Sequence, residues 1–212
     1  MTTMIETAVT GPRPDAPDRS PDEHSLRVVV INGSPREKSK TVGLAEVMLE
    51  TLSRALAGRG IAVDHERVDV YRLGPAFTGA LEREGIAPEI DEVLRQVEDA
   101  DVLIAATPVF RGSYSGLFKH FFDLVDQYAL ANTPVFLAAT GGGEHHALVL
   151  EHALRPLFGF FQALTVPVAV FASSSDFDGT RLMTPRVFGR IEMAVADVLG
   201  LLELREGAEE SR

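Results

Sequence analysis

Short, uninterrupted apolar runs alternate along this chain with segments of helical period. The run LRVVVIN at 26–32 is rich in β-branched residues and has an unbroken apolar centre, VVVI at 28–31, which is typical of a strand buried on both faces of a parallel sheet. The more polar run at 61–70 predicts an edge strand. Similar apolar runs predict three further strands, over 101–107, 134–140 and 166–172.

Five helices are predicted between and after these strands. In the first, over 41–57, apolar residues recur every three or four positions and form one stripe: Leu44, Val47, Met48, Leu52, Ala55 and Leu56. The other helices are predicted over 88–100, 115–129, 147–164 and 185–202. Five alternations of strand and helix predict an α/β fold, a doubly wound parallel sheet with helices on both faces.

The two ends of the chain depart from this pattern. Residues 1–25 contain four prolines and few apolar side chains, so a disordered N-terminal tail is predicted. Residues 26–204 are predicted to form a single domain, followed by a short, charged, frayed tail over 205–212. A domain of this length buries enough surface to fold without a metal or disulfide.

Composition narrows the possible chemistry. The chain of 212 residues has no cysteine, which excludes disulfide frameworks, thiolate zinc sites and cysteine nucleophiles such as that of the low-molecular-weight tyrosine phosphatases. The net charge of −11 argues against binding nucleic acid or a membrane surface. No apolar run reaches the roughly 18 residues that a membrane span needs, and no leader pattern precedes the first strand. The expected location is the cytoplasm.

In an open α/β sheet, ligands bind at the carboxyl ends of the strands, so the loops after the first, third and fourth strands are the places to look. The first loop, NGSPREKSKT at 32–41, leads into a helix N-terminus. Gly33 allows close backbone approach, and hydroxyl and cationic side chains follow it: Ser34, Arg36, Ser39, Lys40 and Thr41. With the free N–H groups of the helix start, this loop predicts a phosphomonoester site, although plain helix capping explains the hydroxyls equally well.

The first loop matches neither the Walker pattern nor the dinucleotide turn GxGxxG. The second loop, TPVFRGSYSG at 107–116, combines a turn fixed by Pro108 with the aromatic residues Phe110 and Tyr114, which suits a flat heterocycle. Its GSYSG motif has Tyr114 where a hydrolase nucleophile elbow needs serine. An incidental lead-in to the next helix is the alternative interpretation.

The third loop, TGGGEHH at 140–146, has three glycines that free the main chain to approach a ligand edge. A simple flexible connector is the alternative. The nearby histidines and glutamates lack the HExxH spacing, so no metal site is predicted. Taken together, the three loops predict a site for a mononucleotide with a flat ring, and FMN fits best.

Three stretches carry a family resemblance: GSPR followed by S-x-T over 33–41, ATPVFRGSYSGLFKHFFD over 106–123, and AATGGGEHHALVLEHALRPLF over 138–158. They resemble the NAD(P)H-dependent FMN reductases of flavodoxin-like fold, especially the branch that serves two-component alkanesulfonate and methanesulfonate monooxygenases. The resemblance covers 26–202 and implies a five-stranded sheet of order 2-1-3-4-5. In some alkanesulfonate-type members an inserted tyrosine creates a π-bulge in the fourth helix, and His152 stands at the matching position here.

The resemblance also implies the flavin contacts. The phosphate loop falls on Ser34, Arg36, Ser39 and Thr41. The isoalloxazine-binding turn falls on Pro108, Val109, Phe110, Arg111, Gly112 and Ser113, and the third flavin loop on Thr140, Gly141, Gly142 and Gly143. Arg111 is the residue expected to meet NAD(P)H, with Lys119 less favoured. No catalytic acid, base or nucleophile is expected, since the cofactor carries the difficult step.

The activity implied is hydride transfer from NADPH or NADH to FMN, with reduced FMN supplied to a separate flavin-dependent monooxygenase, in sulfonate utilisation. A homodimer or homotetramer is expected, with the aromatic residues Phe118, Phe121 and Phe122 as an exposed interface. An FMN-containing quinone or azo reductase and a flavodoxin-type electron carrier remain as alternatives. The absence of tryptophan and the presence of only three tyrosines weigh against the carrier. Nothing favours a flavin sensor.

Overall fold

A parallel β-sheet forms the centre of the protein in the computed structural model, which describes residues 25–209 and the side chains of 25–204. Its strands are β1 (Ser25–Asn32), β2 (Ala62–Asp69), β3 (Val102–Pro108), β4 (Pro134–Gly141), β5 (Leu164–Thr165) and β6 (Val170–Ser173). Their order is β2-β1-β3-β4-β5, and β6 also pairs with β4. The predicted doubly wound order 2-1-3-4-5 is confirmed, with β2 at an edge. Apart from Ser25, the predicted tail over 1–25 lies outside the described residues.

Helices cover both faces of this sheet. They are α1 (Lys40–Ala57), α2 (Gly74–Thr78), α3 (Pro88–Glu98), α4 (Gly116–Leu124), α5 (Arg155–Phe160) and α6 (Pro185–Glu209). The α1 and α6 helices bury their apolar stripes against one face, through residues such as Met48 and Ile191. The α3, α4 and α5 helices pack on the other face. The short α2 has no predicted counterpart, and α6 continues beyond residue 204, where the sequence predicts the domain to end.

The fifth strand position is occupied by two short strands instead of one. The sequence predicts a continuous strand over 166–172, but β5 ends at Thr165 and β6 starts at Val170. Pro167 lies between them and has no N–H to donate to a neighbouring strand. The guanidinium of Arg155 donates to the carbonyls of Val166 (3.0 Å) and Pro167 (3.2 Å), which hold the break in place.

The helix predicted over 147–164 is also broken. A 3₁₀ turn at Glu144–His146 and a π-turn at Leu150–Leu154 come before α5. In the π-turn the N–H of Arg155 donates to the carbonyl of Leu150, five residues back, and Pro156, which follows at the start of α5, has no N–H. The exposed His152 sits inside the π-turn, at the position that the family resemblance indicates.

The aromatic residues of α4 are in the core. Phe118, Phe121 and Phe122 are at most 2% exposed, so the prediction that they form an exposed interface is wrong. They pack edge to face or tilted against one another and against Phe158 and Phe161, with ring centroids 4.9–6.1 Å apart. These large apolar side chains fill the space between the sheet and α5.

Two structural properties bear on the classes of function considered above. Among residues 25–209, no helix combines the length and the apolar character that a membrane span requires. Within the same residues, no group of three or more histidine and acidic side chains is arranged to hold a metal ion.

Candidate functional site

The three glycine-rich loops meet at the carboxyl edge of the sheet because β1, β3 and β4 are neighbours in register. Backbone hydrogen bonds join each loop to the next strand. The N–H of Gly33 donates to the carbonyl of Ala106 (2.8 Å), and the N–H of Val109 donates to the carbonyl of Thr140 (2.7 Å). The hydroxyls of Thr41 and Thr140 lie 2.6 Å apart and are buried, which links the first loop directly to the third.

Buried polar groups at the end of β1 and just before α4 hold the first loop in place. Asn32, only 1% exposed, accepts from the N–H of Ser34 (3.0 Å) and donates to the carboxylate of Asp69 (2.7 Å). The hydroxyl of Ser115 donates to the carbonyl of Gly33 (2.7 Å). These bonds fix the backbone of the loop before any ligand arrives, and none of them was predicted from the sequence.

Gly33 itself serves packing. A Cβ at this position would lie 2.9 Å from both Phe118 and the hydroxyl oxygen of Thr107, closer than side chains approach. The sequence attributes this glycine to close ligand approach, whereas in the structure it allows α4 to pack against the loop. Gly141 is similar, because its Cβ would lie 3.0 Å from the ring of Phe171.

The start of α1 offers unpaired donors to an anion. Ser39 is the N-cap, and its hydroxyl oxygen accepts from the N–H of Val42 (3.2 Å), so the capping interpretation of this serine is correct. In the described part of the chain, the backbone N–H groups of 37–41 have no protein acceptor. A helix N-terminus with free N–H groups attracts a phosphate.

Charge at this loop is positive in a protein of net charge −11. Among the described residues, Arg36, Lys38 and Lys40 have no carboxylate within ion-pair distance. The one acidic residue of the loop, Glu37, is paired with Arg72 at 3.0 Å and is thereby partly neutralised. The donors, hydroxyls and cations together fit a phosphate dianion.

The second loop ends in a tight two-residue hairpin. Phe110 and Ser113 exchange both backbone hydrogen bonds, at 2.8 and 3.1 Å. Arg111 and Gly112 at the tip have φ values of 52° and 85°, the pattern of a type I′ turn. Arginine is unusual in this left-handed conformation, and such residues concentrate at functional sites. The turn presents the exposed Arg111 beside Phe110, which is 44% exposed.

The third loop is tied to the start of α6. Gly142 is exposed and nothing lies within 4 Å of the position of its Cβ, so the main chain is open to a ligand there. Two residues on, Glu144 accepts from Arg186 at 2.7 Å. Arg186 also faces Asp176 at 3.8 Å, so one guanidinium lies between the third loop and the turn after β6.

Asp176 holds that turn in place. The buried carboxylate accepts from both the N–H (2.7 Å) and the hydroxyl (2.8 Å) of Ser173. Burial by itself raises the pKa of Asp176, but the hydrogen bonds from Ser173 and Thr184 and the charge of Arg186 outweigh it and lower the pKa below its ordinary value. The carboxylate is therefore ionised at neutral pH and positions the segment that follows β6.

A cavity of about 390 Å³ joins residues of these loops. Seven predicted site residues line it: Ser34, Arg36, Ser39, Thr41, Pro108, Phe110 and Thr140. The other seven lie in the same loops outside this lining: Val109, Arg111, Gly112, Ser113, Gly141, Gly142 and Gly143. The lining also includes Lys40, which the sequence offers as a cation of the first loop, and five residues that were not predicted: Pro35, Lys38, Ser174, Gly179 and Thr180.

Ser174, Gly179 and Thr180 come from a segment in which the sequence predicts no element. A small hairpin, β7 (Phe177–Asp178) and β8 (Arg181–Leu182), follows the turn after β6. Its connection, Gly179-Thr180, lines the cavity beside the first loop. The Asp-Gly dipeptide at 178–179 is a turn signal at the carboxyl edge of the sheet, and it could have identified this segment.

Known proteins are similar to this chain in sequence. The family model described as NADPH-dependent FMN reductase matches residues 26–178. The NADH-dependent FMN reductase SfnF of Pseudomonas putida is 44% identical over 179 residues, 84% of this chain and 94% of that protein. The FMN reductase (NADPH) of Pseudomonas aeruginosa is 43% identical over 169 residues, 80% of this chain and 88% of that protein.

A solved structure agrees with the sequence comparisons. An oxidoreductase from Corynebacterium diphtheriae superposes with a TM-score of 0.78 at 34% identity, covering 84% of this chain and 97% of that one. The chain thus belongs to the NADPH-dependent FMN reductase family, flavodoxin-like enzymes whose substrates are FMN and a reduced nicotinamide nucleotide.

Proposed function

We propose that this enzyme holds FMN across the three loops at the carboxyl edge of the sheet and supplies reduced FMN to a separate flavin-dependent monooxygenase, in sulfonate utilisation. The observation that carries the proposal is the first loop. Within residues 25–204, its N–H groups without a protein acceptor, its three cations without a carboxylate partner and its buried polar anchors suit a phosphate, and the neighbouring loops suit a flat ring. The relatives named as FMN reductases support it.

The proposed contacts follow the loops. Ser34, Arg36, Ser39 and Thr41 would bind the phosphate of FMN. The turn 108–113 and the loop 140–143 would hold the ring, with main-chain donors fixed by the bond between Val109 and Thr140. FMN supplies the hydride-accepting chemistry when bound. The residues of these two loops would position the flavin for the nicotinamide.

Two features favour release of the flavin over permanent retention. Phe110 and the tip at Arg111 are exposed, so the second loop does not enclose a ring as a buried pocket does. The protein also carries a net charge of −11, which opposes negative charge on the bound flavin wherever local donors do not compensate. A flavin that exchanges readily is what delivery to a second enzyme requires.

Arg111 is the proposed contact to NAD(P)H. Its left-handed backbone costs free energy that a glycine at this position would avoid, and its guanidinium stands exposed at the edge of the ring-binding turn. A guanidinium is a good partner for the phosphates of a nicotinamide nucleotide.

We also propose a homodimer or homotetramer. Since the α4 aromatics are buried, the apolar surface available for assembly lies elsewhere. Leu148 and Phe160, 64% and 65% exposed, lie on either side of the π-turn with the exposed His152 between them in sequence. Light scattering of the wild-type protein and of Phe160→Glu measures the mass, and we expect the substitution to halve it. An unchanged mass would place the interface elsewhere.

The decisive experiment starts from the purified protein and its visible spectrum. NADH and NADPH oxidation is then followed at ~340 nm with FMN, FAD or riboflavin added. We expect a nearly colourless protein whose oxidation of the nucleotide depends on added FMN. A yellow protein that reduces quinones without added flavin would be a quinone or azo reductase, and a yellow protein that barely oxidises either nucleotide would be an electron carrier.

A further inference from the structure

The hairpin β7–β8 forms part of the wall of the cavity at the phosphate loop. Its connection, Gly179-Thr180, lines the same cavity as Ser34, Arg36 and Ser39. Ser174, just before the hairpin, lines it as well. The cavity therefore has one wall made by the helix start of α1 and another made by a segment from the far end of the sequence.

Contacts hold the hairpin firmly against α1. A Cβ at Gly43, in the first turn of α1, would overlap the carbonyl oxygen of Thr180. Leu182 is 3% exposed and belongs to the core on this face of the sheet. The N–H of Met183 donates to the carbonyl of Asp176 (2.8 Å), which closes the base of the hairpin.

The close approach of Thr180 to α1 requires a glycine inside the helix, which lowers the stability of the helix. Glycine inside a helix is less favourable than alanine by about 0.5–1 kcal/mol. At position 43 alanine could be accommodated only if the backbone of Thr180 and α1 moved apart. The turn itself uses Gly179 with a φ of 61°, a conformation that most residues disfavour. Two glycines thus set the position of this wall.

We infer that the turn 178–180 is a selectivity element, which restricts the site to flavins whose phosphate is terminal and so discriminates FMN from FAD. The inference rests on the proposed placement of the FMN phosphate in this cavity. A phosphate monoester needs only the donors of the first loop. The phosphate of FAD is joined to an adenylate group, which needs an exit, and the hairpin stands beside the phosphate loop where such an exit would open.

Equilibrium binding tests this inference without turnover. The dissociation constants of FMN, FAD and riboflavin are measured by quenching of flavin fluorescence, for the wild type, Gly43→Ala and Gly179→Val. Gly43→Ala displaces the turn from the side of α1. Gly179→Val acts from within the turn, since valine disfavours positive φ, while nothing lies within 4 Å of its Cβ to obstruct folding.

The matched control is Gly200→Ala, a glycine of α6 with nothing within 4 Å of its Cβ. We expect the Kd of the wild type to be at least about tenfold lower for FMN than for FAD. Gly43→Ala and Gly179→Val, called the hairpin variants because both should displace the hairpin turn, should reduce this ratio of dissociation constants to within about twofold. The control should keep the wild-type ratio.

Two results would overturn the inference: a wild type that binds FAD as tightly as FMN, or hairpin variants that fold and keep the wild-type ratio. Loss of FMN binding by the wild type, or equal binding of riboflavin and FMN, would instead remove the proposed phosphate site. The two failures are therefore distinguishable in one set of titrations.

Discussion

The first and second loops lie side by side at the edge of the sheet, yet they are held in opposite ways. The first is fixed through buried bonds from Asn32 and Ser115. The second ends in an exposed turn whose tip, at Arg111, is held by the bonds that Phe110 and Ser113 make to each other. A phosphate site needs donors placed before binding, whereas a contact to an exchanging nucleotide needs reach and access.

We expect the largest effect on stability and on flavin binding when the buried bonds that hold the first loop are removed. Asn32→Ala leaves the N–H of Ser34 without its buried acceptor and removes one donor to Asp69, whose carboxylate keeps Arg67 as a partner. We expect the free energy of unfolding to fall by about 1–3 kcal/mol and the Kd for FMN to rise at least about tenfold. Urea denaturation and flavin titration measure the two.

Asp69→Asn is the matched control, because it keeps an acceptor oxygen for Asn32 and removes the charge, together with the exposed ion pair to Arg67. It should change both quantities much less than Asn32→Ala does. Equal effects of the two substitutions would mean that charge at Asp69, and not the anchoring of the loop, controls binding.

The turn after β6 is held, like the first loop, by buried hydrogen bonds, here to the carboxylate of Asp176. Because the native pKa of Asp176 is lowered, its stabilisation is complete above the ordinary aspartate pKa and is lost as the pH falls through the native value. We expect Asp176→Asn to lower the free energy of unfolding by about 1–3 kcal/mol at pH ~7, with a smaller difference from wild type at pH ~3. Urea denaturation at both pH values measures this, and a difference independent of pH would contradict it.

A substitution at the exposed tip of the second loop should change the enzyme kinetics and leave the free energy of unfolding almost unchanged. Arg111→Asn keeps a residue that tolerates the left-handed turn and removes the guanidinium. We expect KM for the nicotinamide nucleotide to rise about tenfold, with the free energy of unfolding within about 0.5 kcal/mol of wild type. Steady-state kinetics at saturating FMN measure the former.

Lys119→Ala is the control for charge alone, since Lys119 is paired with Asp123 on the surface of α4. It should leave KM for the nucleotide within about twofold of wild type. A larger effect at Lys119 than at Arg111 would move the proposed nucleotide contact to α4.

The smallest effect is expected at the bond between the first and third loops. Thr41→Val removes one hydroxyl of the buried pair with Thr140 and should lower the free energy of unfolding by about 1 kcal/mol. Thr51→Val, in the same helix, removes only a bond to the carbonyl of Val47 and should cost less. If Thr51→Val costs more, the link between the loops contributes little.

The sequence predicts the sheet and its three loops well because long, strongly patterned segments produce them. The strand at 26–32 and the helix at 41–57 differ from the observed elements by one residue at one end. Short elements have no such pattern. β5, β7 and β8 have two residues each, and what places them is Pro167, Asp176 and contacts with α1.

The direction in which side chains point could not be predicted from the sequence either. An aromatic helix is equally consistent with a core and with an interface, and the burial of Phe118, Phe121 and Phe122 depends on α5 packing over them. The seven predicted residues that line the cavity come from loops with clear glycine and hydroxyl signals. The wall made by 174–180 comes from a distant part of the chain that only the folded structure brings to the phosphate loop.

The division of the fifth strand also bears on how readily copies of the protein could pair through their sheets. A long, regular sheet edge exposes a row of unpaired backbone groups that recruits strands from other molecules and leads to aggregation. Here one edge is interrupted at Pro167, and the other, β2, is lined with the charged residues Asp64, Glu66 and Arg67. One edge therefore lacks a continuous template and the other carries charged side chains that disfavour pairing, and both features oppose sheet extension between copies.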